Sequence, residues 1–336
     1  MPDWKSMLKA DPTDWLLEEE NPSVRYFALT DILDMPAHSP EAQQAKREIM
    51  RRGIVPDILQ QQREPSYLKT HPRFYTDKYK GLVWQLIVLA EMGAEVNPQI
   101  MEQCEYLLSH SQEIEDGGFA MNASAKKGGG RMFEVIPCLT GNMVWSLIRF
   151  GYLDDPRLQR AIRWITRFMR LNDGVEEHPQ VPPYDRYEIC WGRHTCFMGV
   201  VKALKGFGAI PPEKRTGEVS DTMDKAVEFL LTHHIYKRSH DLSKTSKPGW
   251  LKFSFPLMYQ TDVLEILDIL TGLGIADERM DDAERLVLAK QDGMGRWRTE
   301  NTSNTDRLLI PSGQAGGQSK WLTLRAVRVI KRYHAG

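Results

Sequence analysis

The sequence predicts an all-α protein, and the arrangement it favours is an α/α toroid of about six helix-hairpin repeats. One helix-ending turn recurs at nearly even intervals along the chain. Apolar residues repeat at helical spacing, as in Val263, Ile266, Leu267 and Leu270, whereas Val, Ile and Thr form no alternating runs. A chain of 336 residues is also longer than one hydrophobic core usually supports, which favours repeats.

The turn that ends the first helix of each hairpin aligns at five positions. These are Met35, Gly93, Gly151, Gly208 and Gly274, at intervals of 58, 58, 57 and 66 residues. Glycine is expected just past a helix end, because it adopts the left-handed C-cap conformation without strain. The turns predict five full hairpins followed by a last inner helix over residues 321–334.

The clearest hairpin runs from Gly141 to Gly174. Its first helix is apolar and ends at Gly151. Asp155 followed by Pro156 is typical of a helix start, since aspartate caps the first turn and proline is preorganised for it. The second helix is amphipathic and leads into the turn Asp173-Gly174.

We assign the whole chain, residues 1–336, to one domain. The repeats are placed at residues 11–64, 65–120, 138–180, 190–241, 250–301 and 319–336. An open solenoid needs terminal repeats with a polar outer face, but the last helix is apolar, so we expect it to pack against the first repeat. The alternative is an open superhelix of the HEAT or tetratricopeptide type, whose repeats are shorter at roughly 34–47 residues.

Charge and composition narrow the function classes. The chain has 44 basic and 45 acidic residues, a net charge of -1, which argues against nucleic acid as a partner. No run of 18 apolar residues predicts a membrane span. No basic region followed by an apolar run occurs after Met1. We therefore expect a cytoplasmic protein with four reduced cysteines; its oligomeric state is left open.

The segment Gln291-Asp292-Gly293-Met294-Gly295-Arg296-Trp297 resembles the QW motif of squalene and hopene cyclases. Gln112, Gly117 and Phe119 repeat its outline with Phe in place of Trp. With its repeat length, the chain from about residue 11 to 336 resembles the superfamily of terpene cyclases and protein prenyltransferases, whose members are α/α toroids. In this motif, the glutamine is expected to cap a helix while the aromatic ring packs on the neighbouring repeat.

The resemblance implies an enzyme that acts on a largely apolar, isoprenoid-like or polycyclic small molecule in a central cavity. The motifs that carry the known chemistry are absent from the sequence: there is no Asp-x-Asp-Asp acid motif, no Asp-Asp-x-x-Asp motif and no Asp-x-Cys zinc motif. The reaction therefore stays open among cyclase, lyase, transferase and hydrolase chemistry. The alternatives are a non-catalytic toroid that binds a lipid or a protein, and a purely structural scaffold.

In such toroids, the segments that begin the inner helices line the cavity, where helix N-termini favour anions. We expect a small apolar ligand with one polar or anionic group there, held by aromatic, polar and cationic side chains. The predicted binding residues are Tyr79, Lys80, Trp84, Cys138, Asn142, Trp145, Trp191, Arg193, Lys252, Phe253, Lys320 and Trp321.

Four of the candidate residues form a sulfur and imidazole group, Cys138, Cys190, His194 and Cys196. Thiolates and imidazole suit zinc, although the spacing matches no standard zinc pattern, and no cofactor is otherwise predicted. A second interpretation is buried thiols beside a hydrogen-bonded histidine. A third is a reactive pair, with Cys196 or Cys190 activated by His194.

Acid–base chemistry is assigned to Asp262, His194 and Tyr259. Asp262 follows an aromatic stretch, and a carboxyl among aromatic rings has a raised pKa that allows it to donate a proton near neutral pH. The alternative is that Asp262 only caps its helix. One interpretation of Arg193, Lys252 and Lys320 is an anion clamp that also uses His194 and Tyr259. The alternative is that these cations are scattered over the surface.

Two long connections precede inner helices, residues 121–137 and residues 302–318. Loops of this length are often functional, so we expect either one to act as a lid over the cavity mouth.

Overall fold

The computed structural model describes residues 4–63, 74–172, 180–185, 188–192, 194–301 and 315–334. These residues form fourteen α-helices, several short 3-10 turns and one small sheet, in which β1 (Lys237–Arg238) pairs antiparallel with β2 (Asp241–Thr245). The predicted all-α class is confirmed. None of the described helices has the length and apolarity needed to cross a bilayer.

The helices follow in chain order. They are α1 (Thr13–Leu16), α2 (Pro22–Phe27), α3 (Pro40–Ile49), α4 (Ile54–Gln61), α5 (Leu82–Glu91), α6 (Pro98–His110), α7 (Pro137–Arg149), α8 (Pro156–Phe168), α9 (Glu188–Trp191), α10 (Phe197–Gly208), α11 (Gly217–Thr232), α12 (Val263–Gly272), α13 (Asp281–Ala289) and α14 (Lys320–His334).

Six helices, α2, α5, α7, α10, α12 and α14, form an inner wall. Apart from the short α2, most of their residues are buried: in α5 each residue from Leu82 to Ala90 is buried. A helix that is apolar all round belongs in the interior of a protein. A π-helical turn, Ala28–Ile32, extends α2.

Five helices, α3, α6, α8, α11 and α13, form an outer layer and bury one stripe each. Helix α8 begins at Pro156, and the Asp155 side chain accepts a hydrogen bond from the Arg157 N–H, so the predicted helix start is confirmed. Ser39, Asn97 and Thr216 cap α3, α6 and α11 in the same way. Side-chain caps supply acceptors for N–H groups that a helix start leaves free.

The last repeat packs against the first, as a closed toroid requires. The Lys331 Nζ at the end of α14 donates to the carbonyls of Asp31 and Ile32 at 3.1 and 3.0 Å. The Gln291 Oε1 accepts from the Lys9 N–H at 3.0 Å, and its Nε2 donates to the Met7 carbonyl at 3.1 Å. These contacts join residues nearly 300 positions apart.

The two glutamine–aromatic segments have matching packing roles. The backbone N–H of Trp297 donates to Thr323 Oγ1 at 3.0 Å, and the N–H of Phe119 donates to Thr140 Oγ1 at 3.0 Å. Both aromatic rings are fully buried. The Gln112 Nε2 also donates to a carbonyl of the next repeat, as Gln291 does. These segments therefore link neighbouring hairpins through an inner-helix threonine.

The predicted lid segments differ in what can be described. The connection over residues 121–137 folds back on itself through bridges between Ala120 and Val135 and between Ala123 and Gly130. Most of the second connection, residues 302–314, lies outside the described residues. A lid role for either remains a prediction.

Candidate functional site

Three cysteines meet where three chain segments enter or flank the inner wall. Cys138 lies in the first turn of α7, Cys190 in the short helix α9, and Cys196 at the N-cap of α10. The Cys190 thiol donates a hydrogen bond to the Cys196 sulfur, and Cys196 is close enough to Cys138 to raise the Cys138 pKa. We call these three residues the cysteine cluster.

Cys196 is the most acidic thiol of the cluster. The hydrogen bond from Cys190 outweighs burial and lowers the pKa of Cys196 to about 7, with help from the Gly199 N–H and the charge of Lys247. The Gly199 N–H belongs to the first turn of α10, where unpaired donors and the helix dipole stabilise a thiolate. Its proton donor, Cys190, has a raised pKa because it gives this bond and is partly buried.

The third thiol behaves differently. Burial, and then the neighbouring Cys196, raise the pKa of Cys138 to about 12. Two of the three thiols therefore stay protonated at neutral pH, where Cys196 is partly ionised, so the cluster carries at most one negative charge.

Tyrosines and a tryptophan border the cysteine cluster. Burial, and then the neighbouring Cys138, Cys190 and Tyr259, raise the pKa of Tyr75. The centre of the Trp84 ring lies 4.9 Å from that of Tyr75 and 5.9 Å from that of Tyr259. A tyrosine with a raised pKa keeps its proton and can donate a hydrogen bond at neutral pH.

Asn142 lies one helical turn after Cys138 on α7. Its Nδ2 donates to the Met258 carbonyl at 3.1 Å, and its buried Oδ1 has no partner among the described residues. An unpartnered buried acceptor is costly and usually has a role.

Asp262 caps α12 from a buried position. One carboxylate oxygen accepts from the Glu265 N–H at 2.8 Å and the other from the Ser254 N–H at 3.0 Å. Burial raises the pKa of Asp262 to about 7, against the effect of these two donors. The capping alternative is therefore what the structure shows, and a proton-donor role for Asp262 remains a prediction.

The predicted histidine and the predicted cations differ in their exposure. His194 and Lys252 are exposed, as is Lys80. Lys320 is buried and forms ion pairs with Glu18 and Glu20 at 2.7 Å. Arg193 lies outside the described residues. The anion clamp drawn from these cations stays a prediction.

The predicted lining residues divide between two places. At the N-terminal ends of the inner helices, buried side chains come from Tyr79, Trp84, Cys138, Asn142, Trp191 and Phe253. Trp321, at the second position of α14, is also buried but lines the cavity described below. Trp145 lies near the C-terminal end of α7, where the Lys205 Nζ is 4.1 Å from its ring centre.

A metal was one interpretation of the sulfur and imidazole group. In the ranges that the structure describes, no group of three or more His, Cys, Asp or Glu side chains is arranged to hold a metal ion. The exposed His194 does not join the three sulfurs.

A cavity of about 380 Å³ opens at the opposite, C-terminal ends of the inner helices. Sequence reasoning placed the cavity at their N-terminal ends and missed this one. Four carboxylates and five cations line it: Asp31, Glu91, Glu265, Asp268, Arg149, Lys205, Arg325, Arg328 and Arg332. We call it the C-terminal cavity.

An ion-pair network crosses the floor of this cavity. Glu91 on α5 pairs with Lys205 on α10 and with Arg325 on α14, the latter at 2.7 Å. Asp268 on α12 accepts from Arg328 and, at 3.3 Å, from Arg332. The signal in the sequence was charge at three-residue spacing inside apolar helices, namely Lys202/Lys205, Glu265/Asp268 and Arg325/Arg328.

Comparison with solved structures places this fold. An unsaturated glucuronyl hydrolase specific for heparin matches with a TM-score of 0.50 and 11% identity, over 97% of this chain and 87% of that one. The fold of this chain is therefore an α/α toroid. A type II terpene cyclase, MstE from Scytonema, solved with geranylgeranyl dihydroxybenzoate, matches with a TM-score of 0.42 and 12% identity, over 94% and 88% of the two chains. Both are α/α toroids.

At these identities the likeness shows the fold alone, since one scaffold serves many chemistries. The sequence matches no protein-family model, and no curated protein matches it.

Proposed function

We propose that this toroid is an enzyme that acts on a small, largely apolar molecule at the cysteine cluster, with Cys196 as the nucleophile. The observation that carries the proposal is the acidic Cys196 thiol, which accepts a hydrogen bond from Cys190 at the N-terminus of α10. A thiolate is the reactive form of cysteine, and a helix N-terminus is a recurrent means of producing one.

The surroundings of the cluster define the ligand class. Tyr75, Tyr79, Trp84 and Tyr259 give the neighbouring wall an aromatic character. Such a wall suits a flat or hydrocarbon-rich molecule, and a few convergent polar groups orient it. The substrate would carry an electrophilic carbon, such as a carbonyl.

The proposed step uses groups already in place. The sulfur electron pair of Cys196 forms a bond to the carbonyl carbon, and the carbonyl π pair moves to its oxygen. The Tyr75 hydroxyl, whose raised pKa keeps it protonated, donates a hydrogen bond to that oxygen. An acid–base role for Asp262 and His194 is a secondary proposal. The Asp262 carboxylate already accepts two backbone hydrogen bonds as a helix cap, and His194 is exposed.

The test is the alkylation rate of each cysteine in the folded protein, measured with iodoacetamide and peptide mass spectrometry between about pH 5 and 10. We expect Cys196 to react first, with a midpoint near pH 7. Cys104 is the internal control: it is fully buried, and burial raises its pKa to about 12. A Cys196 midpoint at the ordinary value of 9.0 would overturn the proposal.

Cys190→Ala sharpens this test. It removes the hydrogen bond that favours the Cys196 thiolate, so the Cys196 midpoint should rise toward its ordinary value. Cys104→Ala is the matched change and should leave the midpoint where it is. Cys196→Ser should then abolish turnover of any electrophilic substrate found by screening.

A further inference from the structure

The C-terminal cavity has the size and walls of a ligand site. Its volume of about 380 Å³ falls in the range of small-molecule pockets, roughly 300–1,000 Å³. Phe27, Trp145 and Trp321 contribute aromatic surface, and the rest of the lining combines charged side chains with small and aliphatic ones such as Leu273 and Leu324. It lies at the end of the inner helices opposite the cysteine cluster.

Every carboxylate of this cavity already has cationic partners. Glu265 accepts from Lys202 with both oxygens at 2.7 and 2.6 Å. Glu91 accepts from Lys205 and Arg325. No carboxylate in the cavity is left to attract a cationic ligand.

Asp31 and Asp268 complete this set. Asp31 Oδ2 accepts from Arg328 at 2.8 Å and Oδ1 from Thr30 at 2.8 Å. Asp268 accepts from Arg328 with both oxygens, and Arg332 approaches one of them at 3.3 Å.

The groups with capacity to spare are donors. Arg149 is exposed at the end of α7 and forms no ion pair within the described part of the chain. Among the described residues Arg332 pairs only with Asp268, at 3.3 Å, whereas Arg325 and Arg328 each have a second carboxylate, Glu91 and Asp31. The five cations of the lining exceed its four carboxylates by one positive charge.

The Trp321 ring forms part of the apolar wall of the cavity. Its side chain is 93% buried (7% exposed), and its indole Nε1 is itself enclosed and has no acceptor among the described residues.

We propose that the C-terminal cavity binds a small organic anion, a carboxylate on a flat apolar body. Arg149 and Arg332 would hold the carboxylate, since guanidinium groups match its geometry with paired hydrogen bonds. The apolar body would lie against Trp145 and Trp321. The site is separate from the cysteine cluster and does not depend on its chemistry.

The test is calorimetric titration of the full-length protein with four probes: benzoate, benzamide, inorganic phosphate and cyclohexylammonium. Benzoate should bind and raise the melting temperature, since a ligand of the native state stabilises it. Benzamide has the ring without the charge, phosphate the charge without the ring, and both should bind more weakly. Equal binding of benzoate and benzamide, or stronger binding of cyclohexylammonium, would overturn the proposal, as would no binding of benzoate.

The double variant Arg149→Gln, Arg332→Gln tests whether benzoate binds in this cavity. The pair of changes should weaken benzoate binding about tenfold or more, the usual effect of losing charged hydrogen bonds. Both side chains are at least one-third exposed, so the variant should fold, which an unchanged circular dichroism spectrum would verify. Arg51→Gln removes an exposed cation elsewhere and is the matched control. Equal affinity in the double variant and the control would place benzoate outside this cavity.

Discussion

Lys202 on α10 donates to both carboxylate oxygens of Glu265 on α12, at 2.7 and 2.6 Å, with the two side chains 0% and 2% exposed. The pair joins two neighbouring inner helices inside the toroid. Each charge lies far from water, so each depends on the other.

Lys202→Met is expected to destabilise the protein strongly, because it leaves the buried Glu265 with only the longer contact to Lys205 at 3.3 Å. Loss of one partner from a buried pair costs about 3–5 kcal/mol in the free energy of unfolding. Urea denaturation measures it. Lys214→Met, which breaks an exposed pair with Asp154, should change little.

The double change Lys202→Met, Glu265→Leu removes both charges and should recover part of the loss. If Lys202→Met alone unfolds at the wild-type urea concentration, the buried pair is not present in solution.

The network also predicts acid sensitivity. Burial raises the pKa of Glu91, but the charges of Arg325 and Lys205 outweigh it and hold the pKa below the ordinary value of 4.5. A lowered folded pKa gives stability above the unfolded pKa that is lost as the pH falls below it. The free energy of unfolding should therefore drop below about pH 4.5, and Glu91→Gln should flatten that drop. An identical pH profile in both proteins would contradict this.

Asp262 predicts a pH effect of the opposite sign. Burial raises its folded pKa to about 7, whereas the unfolded carboxyl ionises near 3.8. The contribution of this group is fully present below 3.8 and declines as the pH rises toward 7. Wild type should thus lose stability relative to Asp262→Asn as the pH rises across this interval, measured by urea denaturation. A stability difference that stays constant with pH would show that the Asp262 pKa is not raised.

Gly141 allows α7 and α10 to approach closely. A Cβ there would lie 2.4 Å from the carbonyl carbon of Lys202, a backbone atom that cannot rotate away. Gly141→Ala should cost about 1–3 kcal/mol in the free energy of unfolding, as overpacked cores do. Gly217→Ala, where a Cβ meets open space, is the control and should be neutral or slightly stabilising. Thermal unfolding distinguishes the two, and equal melting temperatures would argue against the close approach.

Gly295 tests the closure between the last and first repeats. It has φ +67°, and a Cβ would lie 1.9 Å from the Ala10 carbonyl oxygen. Gly295→Ala should displace the N-terminal segment and speed amide exchange over residues 4–16, measured by mass spectrometry. Gly293→Ala, two residues away in open space, should leave that exchange unchanged. Slow exchange in both variants would mean that this contact does not hold the segment.

Local signals in the sequence were enough to predict several helix-ending turns. Gly93, Gly151 and Gly274 do adopt positive φ after helices, at +71°, +86° and +77°. Gly208 differs, because it is the last residue of α10 and has no positive φ. The last helix, expected over residues 321–334, begins one residue earlier at Lys320.

The candidate sites were less accessible from sequence. The approach of Cys138, Cys190 and Cys196 followed from equivalent positions in successive repeats, so it was foreseeable. The exposure of His194 was not, because the orientation of one side chain in a loop depends on the packing around it. Trp145 was assigned to the wrong end of the toroid, since a helix of thirteen residues reaches both ends of the wall.

The sequence by itself determined the helices, their turns and the order of inner and outer layers, because apolar spacing, caps and glycines act over a few residues. Only the tertiary structure decided which acidic side chain forms an ion pair with which basic side chain. Glu91 pairs with Lys205 and Arg325, residues 114 and 234 positions further along the chain. A pairing of this kind exists only once the ring has closed, when burial makes an unpaired charge too costly to keep.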